Sequence, residues 1–216
     1  MSTLINFLER LNRKERYFVV AHATGARDLT LGEDMRQRLS RETGVQVPAS
    51  ARLFIDYHFD WLVASLRLAF DQPARLSFRN TGQAVQGNQE DLDLLVAFED
   101  RTITQLVMVE AKAGTAWSIS QLRSKVARLN SMFGKDGANF PLVKPHFLLL
   151  SPGKPSPQVM KAMPKWDTAP ASHRWIPLNY PKERLIVERT LVSKQPSRTG
   201  RYFTVHSELQ RFDTAA

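Results

Sequence analysis

The sequence predicts an α/β fold with an α-β-β-β-α-β order over residues 53–151 and a mixed central sheet. Three observations carry this. Two largely apolar runs, 91–99 and 104–111, are separated only by a turn around Asp100-Arg101-Thr102 and so form a hairpin. A capped amphipathic helix follows the hairpin. A short buried strand, His146-Phe147-Leu148-Leu149-Leu150, comes next, and a strand–helix–strand succession of this kind returns as a parallel, right-handed crossover.

The elements follow in order. Residues 3–23 read as one or two helices hinged near Asn12-Arg13-Lys14, and 30–43 as another that Gly44 stops. Pro48 closes this N-terminal helical segment, residues 1–52. Residues 53–70 are apolar almost all round, which predicts one helix buried on most sides, ended by Gln72-Pro73. Its polar residues Asp56, Asp60 and Arg67 fall on one stripe. A strand is expected over 75–80, ahead of the hairpin. Both hairpin strands read as dry on both faces, which makes them central.

Ser118 and Gln121 form an S-x-x-Q capping box, flanked by Trp117 and Leu122 as a hydrophobic staple. Ile119, Leu122, Val126, Leu129 and Phe133 then recur at helical spacing up to Gly134. Ser151-Pro152-Gly153 closes the core, residues 53–152. The extension 153–216 is Pro-rich to about residue 181, then offers strands over 184–192 and 201–207 around a basic loop, a β-hairpin. The three segments are expected to pack as one domain.

Net charge is +9, and its distribution is uneven. Residues 1–52 carry +3, residues 53–152 balance at zero, and residues 153–216 carry +6. Acidic residues gather in the middle and cations in the flanks. That pattern suits a polyanionic partner such as DNA, with carboxylates for a metal at the centre. No run of about 18 apolar residues occurs, so no membrane span is expected. The first ten residues lack the long apolar stretch of a secretory signal, so a cytoplasmic location is expected. With no cysteine, disulfides and thiolate metal sites are excluded. Zinc-type histidine spacing and a nucleophile elbow are absent, and Gly153-Lys154-Pro155-Ser156 lacks the upstream glycine of a phosphate loop.

The chemistry concentrates at one end of the hairpin. Glu110 and Lys112 are two apart in a strand and share a face. If Asp100 pairs with Ile103, the register sets Asp93 directly across from Glu110, with Cβ atoms about 5 Å apart. Asp91 lies on that face too, and Glu90 adjoins it. Such a cluster repels itself unless a cation sits in it. Mg²⁺ is the natural occupant, with Mn²⁺ as a substitute. Lys112 would hold an attacking water or offset charge developing on a phosphate. The bland alternatives are a cross-strand salt-bridge set for Glu110 and Lys112, and an exposed strand start for Asp91 and Asp93. With 21 acidic residues and 10 lysines in 216, an acidic-x-Lys triplet is expected about once by chance, so the hairpin context carries the signal.

Asp93 with Glu110-Ala111-Lys112 resembles the signature of the PD-(D/E)xK nuclease superfamily, the restriction-endonuclease-like fold. The α-β-β-β-α-β order is similar to that superfamily's core, and Glu90-Asp91-Leu92-Asp93-Leu94-Leu95 is similar to Holliday-junction-resolvase-like members. The resemblance covers about 53–151 and implies metal-dependent cleavage of DNA. It implies Asp93 and Glu110 as metal ligands and Lys112 as the catalytic lysine. It adds Gln121 on the next helix as a catalytic candidate, and Asp60 or Asp56 as an acidic residue of the first core helix, with Asp60 as a third metal ligand. Two features depart from the pattern: Leu92, not proline, precedes Asp93, and Lys125 stands where RecB-like members carry a tyrosine. A burial requirement gives Asp60 other partners as well, Arg67 or His58, and the capping box is a complete structural account of Gln121. Lys125 and Arg128 share a face with Gln121 and are candidate phosphate contacts, as are Lys194, Arg198 and Arg201 in the basic hairpin. Many members are dimers, which makes a homodimer one expected assembly. The alternative expectation is a non-catalytic nucleic-acid-binding or assembly protein with the same fold.

Overall fold

Strands that are apolar on both faces have one stable place, the middle of a sheet covered on both sides. The computed structural model describes residues 3–71, 76–80, 84–87, 90–114, 116–166, 174–181 and 183–209. In it β2 (Asp91–Asp100) and β3 (Ile103–Ala111) form the hairpin at the centre of a five-stranded sheet. The sheet order is β1-β2-β3-β4-β5, completed by β1 (Arg52–His58), β4 (Val143–Ser151) and β5 (Trp175–Pro177). Strand β2 runs antiparallel to β1 and β3, while β3, β4 and β5 are parallel. The molecule is therefore mixed α/β, as its sequence predicts.

One expectation fails in an instructive way. Residues 53–70 do not form a single helix. The first part is β1, and only Phe59–Phe70 is helical, as α4. A run apolar on all sides has no periodicity to separate helix from strand. The pairing of β1 along β2 and a cap at His58, whose Nδ1 accepts from the Asp60 amide at 3.2 Å, decide the boundary. Strand β1 also takes the place expected for a strand at 75–80. Arg75 lies outside the described residues, and 76–80 carry no strand.

Helices lie on both faces. Helix α1 (Thr3–Leu11), α4, α5 (Ile119–Phe133) and the short α6 (Pro157–Lys161) share one core with the sheet, joining Leu8, Leu62, Leu95, Met108, Leu129 and Phe147. On the other face Leu39 of α3 (Glu33–Thr43) packs with Val96, Val107 and Leu148. The N-terminal helices are thus part of the core's covering. The break between α1 and α2 (Glu15–Ala23) falls at the expected hinge, and Gly44 caps α3 in the left-handed conformation at φ 71°. Helix α6 and β5 lie in the Pro-rich stretch that sequence left without elements.

The C-terminal hairpin forms a separate two-stranded ribbon, β6 (Glu183–Thr190) with β7 (Tyr202–Leu209). Its loop is folded back on itself. Ser197 N–H donates to Arg189 O, and Arg189 donates to Arg198 O at 3.1 Å and to Gly200 O at 2.5 Å. A Cβ at Gly200 would lie 2.1 Å from the Thr190 carbonyl oxygen, so only glycine closes this loop. At the ribbon's base the Arg184 guanidinium passes over Gly114, just after β3, where a Cβ would stand 2.5 Å from it.

Tyr57 ties α1 to β1. Its ring is fully buried and its hydroxyl donates to the Leu8 carbonyl at 3.0 Å, with Ser65 Oγ at 3.4 Å. Burial holds the phenol well above its ordinary pKa, so it stays a donor at every physiological pH. Tyr57→Phe is expected to cost about 1 kcal/mol, the net worth of one buried hydrogen bond. Urea unfolding checks this, and an unchanged midpoint would rule out the contact.

Candidate active site

The β2–β3 turn sets the geometry of the site. Arg101 adopts φ 57°, which closes a tight connection and pairs Asp100 with Ile103 and Leu94 with Val109. This is the register expected from the sequence. One step further along it, Asp93 stands across from Glu110. The Ala111 amide donates to Asp93 Oδ2 at 2.6 Å, pinning that side chain at the strand end.

The β1–β2 register extends the row. Ile55 pairs with Leu94 and Tyr57 with Leu92, so Asp56 falls opposite Asp93. Asp56 itself is missing from the ladder because its φ is +49°, a strained conformation for a non-glycine residue. Phe54 and Tyr57, three apart, both reach the same core, as do Leu92 and Leu95. An undisturbed strand would place residues three apart on opposite faces. Both strands therefore change face at the Asp56–Asp93 row. The sequence offers Asp56 as an acidic candidate on a helix, whereas it lies in β1, and strand pairing brings it here. Its carboxylate accepts from Arg16 at 3.2 Å.

Glu110 is 7 % exposed. Its Oε2 accepts from Lys125 Nζ at 2.5 Å, and the same ammonium donates to the Asp91 carbonyl at 2.8 Å. Burial pushes the Glu110 carboxyl above its ordinary range. The Lys125 charge opposes that shift, the Asp93 charge reinforces it, and Lys112 adds a further lowering influence. Lys112 is half-buried, and its amide donates to the Leu150 carbonyl at 2.8 Å. Its ammonium makes no hydrogen bond or ion pair among the described residues.

The other acidic residues are paired with cations. Asp91 bonds Lys14, from the break between α1 and α2, through Oδ2, while its buried Oδ1 has no hydrogen-bond partner among the described residues. Arg128 is 4 % exposed, lies over the Phe59 ring with its guanidinium carbon 5.1 Å from the centroid, and bonds Asp60 and, at 3.2 Å, Glu90.

Several expected site residues thus take other roles. Asp60 is a structural anchor: Oδ1 accepts from Arg128 and the Gln86 amide, and Oδ2 from the Gly87 amide at 2.9 Å. Arg128, expected as a phosphate contact, lies buried between Asp60 and Glu90. Lys125 points into the acidic row and not along an exposed helix face. The physical reason is the position of both residues beside the buried stripe of Leu122, Val126 and Leu129, a signal already present in the spacing. Gln121 has an exposed side chain at the start of α5, and its amide is capped by Ser118 Oγ at 3.3 Å. Lys194, Arg198 and Arg201 are exposed around the ribbon loop.

Among the described residues no three histidine or acidic side chains are gathered closely enough to hold a metal ion. Two carboxylates, Asp93 and Glu110, adjoin across the hairpin. Asp93 Oδ1 and Glu110 Oε1 carry no hydrogen bond among the described residues. Mg²⁺ commonly takes one or two carboxylates and keeps several waters.

No family model, curated protein or solved structure matches the chain, so the site must be tested by its own chemistry. Arg128→Met leaves Asp60 and Glu90 without their buried cation and is expected to destabilise by about 3 kcal/mol in urea unfolding. A DNA-contact role would instead lower DNA affinity and leave stability unchanged. Glu110 gives a pH signature. With its folded-state pKa raised, its contribution to stability is present below the ordinary carboxylate range and is lost as pH rises through the raised value. Glu110→Gln removes that loss. Unfolding from about pH 4 to about pH 8 should show wild type becoming less stable relative to the variant as pH rises. A constant gap would show that burial does not perturb this carboxyl.

Proposed function

We propose that the protein is a metal-dependent nuclease that hydrolyses DNA phosphodiester bonds, built on a restriction-endonuclease-like core. The observation that carries this is the row formed by the hairpin register: Asp93 beside Glu110, with Lys112 two residues on, at one end of a buried sheet. Three consecutive antiparallel strands, then helix α5 and a strand parallel to the third, support the β-β-β-α-β part of that core. The position of α4 between the first two strands departs from the order the resemblance implies.

In this reading Asp93 and Glu110 would hold Mg²⁺ or Mn²⁺ through Oδ1 and Oε1, the oxygens without a hydrogen bond among the described residues. The ion, when bound, supplies positive charge to the phosphate and acidifies water. Lys112 carries an ammonium with no competing hydrogen bond among the described residues. It orients the attacking water or offsets charge that develops on the phosphate. Hydrolysis adds water across the phosphorus–oxygen bond, leaving a phosphate on one side and a hydroxyl on the other. Lys194, Arg198 and Arg201, on a loop already held by its own hydrogen bonds, supply sequence-independent contacts to the DNA backbone. At the opposite end of the ribbon Arg184 passes over Gly114, in the segment following Lys112.

One observation favours a second reading. The carboxylates Asp60, Glu90, Asp91 and Glu110 already have cationic partners, as expected of a non-catalytic nucleic-acid-binding protein that keeps the fold. Incubation with plasmid and oligonucleotide DNA in Mg²⁺ or Mn²⁺ separates the two. Wild type is expected to cleave, with Asp93→Ala and Lys112→Ala each slower by about 100-fold or more. Equal cleavage by all three, or binding without cleavage by wild type, overturns the nuclease reading.

A further inference from the structure

Lys125 reaches from α5 into the acidic row, where its side chain is 13 % exposed against 9 % for that of Glu110. Its ammonium has two partners, Glu110 Oε2 at 2.5 Å and the Asp91 carbonyl at 2.8 Å. A buried carboxylate and a buried ammonium each need the other when no further ion is present. Across the hairpin from Glu110 stands Asp93, whose Oδ2 is held by the Ala111 amide. A divalent cation approaching these two carboxylates meets a positive charge already seated on one of them. Two cations cannot share one carboxylate in a poorly hydrated site without strong repulsion.

We infer that Lys125 is the resident counter-ion of the metal place, so that binding of a divalent cation and release of Lys125 from Glu110 are one event. This rests on the proposed metal site and adds its regulation: the ammonium occupies Glu110 in the metal-free protein and sets how tightly a metal must bind to enter. Lys125 is therefore a positioning residue, acting through Glu110. The freed side chain remains tethered to α5, one turn after Gln121.

Mn²⁺ binding to the full chain, followed by titration calorimetry and by the Mn²⁺-induced shift in melting temperature, tests this. Lys125→Met removes the charge and keeps the aliphatic stem. Lys125→Gln is a second neutral variant with a different packing demand, and Lys125→Arg retains the cation. Both neutral variants are expected to bind Mn²⁺ about tenfold or more tightly than wild type, the scale of one charge-assisted hydrogen bond that no longer competes. Their metal-free forms should melt lower and gain more on Mn²⁺ addition, while Lys125→Arg stays near wild type. Mn²⁺ binding by the neutral variants alone also supports the competition. Unchanged or weaker binding in both neutral variants, with wild-type binding intact, overturns the role of Lys125 and leaves the metal site standing. No Mn²⁺ binding by any of the four chains overturns the metal site and the inference with it.

Discussion

The register between β2 and β3 is the constraint on which the rest of the site depends. A slip of one residue would turn every side chain of a strand to the other face. Here both strands are apolar on both faces, so burial alone does not choose between registers. The turn at Arg101 does, by pairing Asp100 with Ile103. From that pairing follow the meeting of Asp93 with Glu110 and the hydrogen bond from Ala111 to Asp93. The same strand, β2, then aligns β1 and brings Asp56 to the end of the row.

A row of carboxylates at the edge of a dry core creates an electrostatic problem, and the fold solves it with three cations. Lys14 comes from the break between α1 and α2, and Lys125 and Arg128 from α5. The pairing separates two kinds of acidic residue. Asp60 and Glu90 share the deeply buried Arg128 and serve cohesion. Glu110 is paired with a lysine on a flexible stem, a partner that can be exchanged for another cation at smaller structural cost.

The two flanks join the core in different ways. The N-terminal helices are built into the core through Leu4, Ile5 and Leu8, and their connection supplies Lys14 to Asp91. The C-terminal ribbon packs little of its apolar surface, leaving Leu185, Val187 and Phe203 each about 70 % exposed. Its order comes from backbone pairing and from the Arg189 contacts that close the loop. At its base Arg184 crosses Gly114, just after β3.

Much of this was legible along the chain. The hairpin, its register, the Ser118 cap, the Gly44 stop and the pairing of Asp93 with Glu110 all follow from local rules, because turn length and capping act over a few residues. The boundary inside 53–70 was not legible, since a segment buried all round satisfies helix and strand periodicity alike. Asp60 and Arg128 look like functional polar residues in sequence. Folding makes them a buried ion pair, because a charge that leaves water must find its partner wherever the chain brings one. The sequence by itself determined the α/β class and the two carboxylates that face each other across the hairpin. Only the tertiary structure decided that β1 adds Asp56 to their row and that Lys125 neutralises Glu110. Those contacts join residues far apart in the chain, and local periodicity and turn chemistry do not reach across such distances.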